Sequence, residues 1–248
     1  MTTPSYVYGV TRAGTPVPKG LTGLDDKPVE LIEGDGVGAI VSDLPQGRPL
    51  GERADLVAHQ KVLNEFLDAA AVVVPFRFGA ALSGREAVEK ELLASNAERL
   101  GQVLDSLDGR LELRLKGTYV EDSVLREVME QEPEIAQLSE RIRQVPADAA
   151  DAVYYDRVRL GEMIAQALER RRDHDGRALL DPLAPVAESV VNKPPAREED
   201  VLDAAFLIDR AKREEFEAAV DKLGQAHGDR IKLRLVGPLP PYDFVPEA

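Results

Sequence analysis

The sequence contains no cysteine. That removes disulfide frameworks, cysteine-type zinc fingers, iron–sulfur clusters and thiol catalysis together. It also lacks any apolar run approaching the ~20 residues of a membrane span. The opening Met1-Thr2-Thr3-Pro4-Ser5 has neither a charged n-region nor an apolar h-region, so no export signal is expected. Positive charge is in deficit: 31 Lys and Arg stand against 45 Asp and Glu, a net charge of −14. A field of that sign repels phosphate backbones and anionic membranes.

Histidine is scarce. His59, His174 and His227 fall on three separate predicted elements, with no His-x-x-x-His or His-x-His spacing to aim two imidazoles at one metal. Asp173-His174-Asp175 reads as a solvated helix end, with His174 near the negative end of the helix dipole. His59 reads as a packed or exposed ring, because no nucleophile accompanies it nearby. Gly34-Asp35-Gly36-Val37-Gly38 lies between two apolar runs, which makes it a hairpin turn and not the strand–loop–helix of a dinucleotide site. There is no Walker A sequence and no Gly-x-Ser-x-Gly elbow. Nothing here calls for a metal, a cofactor or a catalytic centre.

What is present is an ordinary globular composition, 44% hydrophobic and 31% charged over 248 residues. That supports a real core in one large domain or two, in a soluble, cytoplasmic, acidic protein. The patterning predicts strands at 6–10, 29–33 and 37–42, then a helix over 52–71 with Leu56, Gln60, Leu63 and Leu67 inward. A strand is predicted at 72–78, central by its apolar positions, with Pro75 arguing for a bulge or a nearby edge. Arg77 within it is a cation in an apolar strand, expected to pair with a carboxylate or cap a helix. A long helix over 84–107 turns Val88, Leu93, Ala97, Leu100, Leu104 and Leu107 inward. Arg110 to Lys116 alternates strictly, as a half-wet strand does.

Beyond it come two short helices (123–131, 133–144), a break at Pro146 and the following Ala/Asp segment, and a helix over 151–173. A helical piece at 177–187, interrupted by prolines, precedes strands at 189–191 and 201–209. A helix over 212–226 and a strand over 230–236 complete the pattern. The order from Arg110 is βαββαβ, that of a ferredoxin-like unit, with a helical insertion at about 121–148. The fold class is therefore α+β with two domains: residues 1–108, and a modified ferredoxin-like domain over 109–248 whose tail is 237–248.

In that topology the first and last strands are neighbours. Arg110, Glu112, Arg114 and Lys116 then lie beside Arg230, Lys232 and Arg234, six cations and one anion on one face. Like charges on facing strands repel, so compensation is expected from Asp203, Asp209, the helical insertion or a partner.

Three motifs carry a resemblance. Tyr6-Val7-Tyr8-Gly9-Val10, Val74-Pro75-Phe76-Arg77-Phe78-Gly79 and Val236-Gly237-Pro238-Leu239-Pro240-Pro241-Tyr242-Asp243-Phe244-Val245 resemble the gas vesicle protein F/L family (GvpF/GvpL). The likeness spans nearly the whole chain, and the last motif is the most specific. It implies a non-enzymatic structural or assembly role in gas vesicle formation, with the small hydrophobic shell protein and other accessory proteins as partners. It implies two α+β domains and a location in the cytoplasm, associated with the vesicle. It supplies no catalytic residue.

Candidate interaction or structural residues are Arg77, Phe78, Arg114, Arg234, Leu239, Tyr242 and Phe244. An open sheet edge could pair with a client strand, while Tyr242 and Phe244 are expected to pack back onto the protein. The alternative function is a ferredoxin-like module binding nucleic acid or a small molecule. The sheet faces at 110–116 and 230–236 lack the aromatics that stack bases.

Overall fold

Apolar residues at nearly every position of the first strand demand burial on both faces. A computed structural model, describing residues 3–146, 153–197 and 199–246, provides it. Strand β1 (Ser5–Arg12) lies inside a five-stranded antiparallel sheet ordered β2-β3-β1-β4. Here β2 is Glu30–Gly34, β3 is Val37–Asp43 and β4 is Val74–Pro75, while β5 (Ala81–Leu82) also pairs with β1. The β2–β3 turn is the predicted hairpin: Asp35 and Gly36 both take positive φ (51° and 83°), as the two-residue hairpin requires.

A bulge between Val7 and Gly9 shifts the β1–β3 register. Gly9 is needed there, since a Cβ would sit 2.6 Å from the Val74 carbonyl oxygen. Tyr6 and Tyr8 consequently join Ile40, Val62, Leu63 and Phe66 in one apolar cluster. Val7 and Val10 join Val41, Val88, Leu100 and Leu104 in another.

Helix α1 (Arg53–Asp68) covers the tyrosine side. Its buried face is Asp55, His59, Val62, Leu63 and Phe66, whereas Leu56 and Val57 are exposed. The predicted stripe was therefore set about one residue off. The buried polar pair Asp55 and His59 caused the error, for an apolar count assigns such residues to solvent.

The predicted helix over 84–107 exists in three pieces: α2 (Arg85–Ala87), a π-helical segment (Val88–Ala94) and α3 (Ala97–Leu107). The wider π turn lets Val88 and Leu93, five residues apart, both be fully buried. The predicted strand at 72–78 shrinks to Val74–Pro75 at the end of the sheet order, where the Phe76 amide still donates to the Tyr8 carbonyl at 2.9 Å and Pro75 pairs with Gly9 at a position that needs no N–H. Arg77 is exposed, so the predicted cost of burying its charge does not arise.

The second sheet has four strands ordered β7-β8-β6-β9: β6 Arg110–Tyr119, β7 Ser189–Asn192, β8 Asp200–Asp209 and β9 Ile231–Leu239. The first and last of these in sequence are neighbours, as expected. Helices α4 (Glu121–Gln131) and α5 (Pro133–Arg143) occupy the segment where a helical insertion is expected. They pack on α6 (Tyr154–Leu180) through Val128, Ile135 and Ala167. Helix α7 (Arg213–His227) packs on β8 through Phe216 against Phe206, ring centroids 4.9 Å apart. The predicted break after Pro146 and the start of the predicted helix at Asp151 lie outside the described residues, as do 147–148 of the insertion and 247–248 of the tail.

Helix α6 runs on through Leu180 and absorbs the first residues of the helical piece predicted at 177–187. Asp175 is consequently mid-helix and buried rather than part of a solvated end, while His174 is exposed. By contacts, residues 1–113, 207–210 and 237–248 form one unit, and residues 114–206 and 211–236 another.

Candidate functional site

Among the described residues no three His, Asp or Glu side chains gather in a metal-holding group. No helix there is long and apolar enough to cross a membrane. The chemistry that does converge consists of two polar networks and the faces around them.

In the first unit, Arg48 forks onto Asp55, with Nη1 donating to Oδ2 at 3.0 Å and Nη2 to Oδ1 at 2.5 Å. The same Nη2 reaches Asp25. The amides of Gly51 and Glu52 also donate to Asp55 Oδ2, at 3.0 and 3.1 Å. Together these donors hold the Asp55 carboxyl well below the usual carboxylate range. They also cap the start of α1.

One turn on, His59 has hydroxyls on both ring nitrogens: Tyr6 at 2.8 Å from Nδ1 and Tyr242 at 3.0 Å from Nε2. A neutral imidazole has one donor and one acceptor, so it satisfies both. Tyr6 also accepts from the Gly79 amide at 3.1 Å, and Tyr8 stacks on the imidazole with centroids 5.6 Å apart. Burial lowers the His59 pKa and pushes the Tyr242 phenol up to about 12. Tyr8 in turn accepts from the Leu24 amide at 2.9 Å. Gly23 leaves room for that hydroxyl, which an added Cβ would strike at 1.8 Å.

The tail is thus stitched down at three points. Tyr242 bonds His59, the Asp243 amide donates to buried Glu112 at 3.3 Å, and Phe244 and Val245 pack into the Val7–Leu104 cluster. Glu112 was expected on the wet face of β6, and its burial corrects that reading.

Beside the tail opens a cleft of about 520 Å³, lined by Phe76, Arg77, Phe78, Arg99, Tyr242 and Val245 among others. Three predicted candidates, Arg77, Phe78 and Tyr242, therefore meet in one place. Phe78 also stands edge-on to His59, centroids 5.8 Å apart. Leu239 lines a separate small cavity of about 110 Å³ with Leu111 and Leu207.

Arg114 and Arg234 belong to the second unit. Arg114 makes a two-pronged pair with Asp203, at 2.7 and 2.8 Å, and Lys116 reaches the same carboxylate at 3.5 Å. Those cations lower the Asp203 pKa, the Arg114 hydrogen bond most. Arg230 donates to Glu127 of the insertion at 2.6 Å and to Asp175 at 3.1 Å, and Tyr119 donates to Asp175 at 2.8 Å. The expected compensation by Asp203 and by the insertion is thereby met. Lys232 and Arg234 are exposed and have no carboxylate partner among the described residues.

The roles of Asp55, His59, Asp175 and Glu127 escaped sequence reasoning. The available signal was a carboxylate and a histidine one turn apart on α1, in line with Val62, Leu63 and Phe66.

Comparisons with known proteins converge. The family described as "Gas vesicle synthesis protein GvpL/GvpF" matches residues 4–246. Gas vesicle protein F of Streptomyces sp. (strain CB03234) is 36% identical over 246 residues, covering 97% of this chain and 99% of that protein. The crystal structure of gas vesicle protein GvpF from Anabaena sp. PCC7120 superposes with a TM-score of 0.86 at 24% identity, covering all of both chains. That from Microcystis aeruginosa gives 0.79 at 25% identity, covering 98% of this chain and 99% of that one.

Proposed function

The chain belongs to the gas vesicle GvpL/GvpF family and takes part in gas vesicle formation; from that premise we propose that it acts without catalysis, by binding the small hydrophobic shell protein during assembly. The observation that carries this is the whole-chain family match, from residue 4 to residue 246. The chemistry agrees with it. The polar clusters are consumed in holding the fold: Asp55 by Arg48, His59 by two tyrosines, Asp175 by Arg230 and Tyr119. A net charge of −14 keeps a complex with an apolar client in solution.

The second sheet supports a ferredoxin-like reading. Its order β7-β8-β6-β9, with α6 after the first strand and α7 before the last, is the βαββαβ arrangement carrying α4 and α5 as an insertion. The nucleic-acid alternative is disfavoured, since the cationic strand faces carry no aromatic for stacking.

Co-expression with the shell protein followed by pull-down tests the proposal. Retention of shell protein through a mild salt wash is expected; its absence ends the proposal.

A further inference from the structure

Strand β9 is the last strand of its sheet, and among the described residues none pairs with its outer side. Its side chains alternate between two rows. Ile231 and Leu233 lie on the helix-covered face, within 3.5 Å of where a Cβ on Gly117 would stand, beside Leu179 of α6. Ile231 is fully buried there, but Leu233 and Leu235 are only half-buried, because the sheet ends beside them.

Next to that row an open groove of about 610 Å³ runs between α7 and β9. Val220, Gly224, Gly228 and the β9 residues Ile231, Leu233 and Leu235 line it, and Lys232, which alternates with them, also borders it. Glu217 on its rim is engaged by Arg213 at 2.7 Å, and Asp221 stands beside it. The opposite row holds Lys232 and Arg234, exposed and with no carboxylate partner among the described residues. Next to them, Arg114 and Lys116 already share one anion, Asp203.

An added strand must match three features at once. Its backbone must pair with the free edge, one row of its side chains must be apolar to enter the groove, and the other must be anionic to meet Lys232 and Arg234. The pleat imposes a period of two on both rows. The opposite edge, β7, is four residues long and runs into Lys193-Pro194-Pro195, so it offers little ladder.

We propose that the outer edge of β9, with the groove beside α7, takes an extended peptide segment in which apolar residues alternate with acidic ones. That the shell protein carries such a segment rests on the function proposed above.

The test uses the full chain and capped nine-residue peptides: alternating Val/Glu, alternating Val/Lys, and the Val/Glu peptide N-methylated at every second residue. Fluorescence anisotropy should show Val/Glu binding roughly fivefold more tightly than Val/Lys, the scale of two exposed cross-strand charge pairs. N-methylation should abolish binding. The Lys232→Glu/Arg234→Glu variant should invert the preference. If it melts below the parent, Lys232→Gln/Arg234→Gln replaces it, and then equal affinity for both charged peptides is expected.

Equal binding of Val/Glu and Val/Lys to the parent overturns the proposal. So does an unchanged preference in the variants, or no binding of any peptide, the behaviour of an edge whose charges serve only to repel other strands. A pull-down in parallel separates the two readings. Shell protein captured equally by parent and charge-reversed chain keeps the function and removes β9 from it. Val/Glu binding without shell-protein capture keeps the β9 site and removes the function.

Discussion

Replacing Tyr242 and Phe244 together by alanine asks whether the tail is part of the fold or a free contact arm. Truncating a fully buried large aromatic costs ~3–5 kcal/mol. Both rings are half-buried, so ~2 kcal/mol each is the appropriate scale. Tyr242 also loses its 3.0 Å hydrogen bond to His59, adding about 1 kcal/mol. The two rings sit in different apolar clusters, Tyr242 with Phe66 and Phe244 with Leu104, so the losses should add with little coupling. The sum is ~5 kcal/mol, and at ~2–4 °C per kcal/mol for a chain of this size the melting temperature falls by about 10–20 °C. Far-UV circular dichroism melts measure it. Tyr242→Phe alone, keeping the ring, should account for only the ~1 kcal/mol of the bond. A double variant that melts with the parent refutes the packing argument. If it also fails to retain shell protein, the tail is a contact surface instead.

The remaining predictions concern protons and charge. His59 is buried with its pKa depressed, so the unfolded chain binds a proton more readily than the folded one. Its contribution to stability is present above the unfolded value of about 6.5 and is lost as pH falls from there toward the lower folded value. His59→Gln keeps a donor and an acceptor but does not titrate. Its melting temperature should fall less steeply than the parent's just below pH ~6.5, and parallel slopes refute the assignment. Asp203→Asn leaves Arg114 and Lys116 without the carboxylate they share. A loss of about 1–3 kcal/mol in urea unfolding is expected; no loss means that solvent serves half-buried Arg114 and exposed Lys116 as well as Asp203 does.

Much of the fold was written in periodicity. The alternation from Arg110 to Lys116 became β6, and Asp35-Gly36 became the hairpin turn. The βαββαβ element order placed β9 beside β6, because topology follows from which elements occur in which order and not from their exact ends. The failures occurred where backbone requirements overrode composition. Val72 to Phe78 is apolar enough for a longer strand, yet only Val74 and Pro75 pair with β1, at the end of the sheet order where a proline is tolerated. The 84–107 segment is apolar at helical spacing, but the five-residue step from Val88 to Leu93 is taken by a π turn, which brings both onto one side.

The first unit's polar network was illegible for a different reason. On α1, Leu56 and Leu67 advertise an inward stripe, while Asp55 looks like the wet side and His59 reads equally as packed or exposed. Hydrophobicity ranks a residue by its own side chain, but a buried polar group is priced by its partners. Those partners lie outside the helix: Arg48 in the loop just before it, and, far off in sequence, Tyr6 near the chain start and Tyr242 183 residues from His59. Once those hydrogen bonds exist, turning Asp55 and His59 inward costs little and Phe66 follows onto the buried face, leaving Leu56 and Val57 in solvent. The Tyr6 and Tyr242 motifs at the two ends of the sequence are therefore one structural feature, closed on a histidine that neither of them predicts. Each was legible as a family signature, and the fold shows the two meeting on opposite nitrogens of His59.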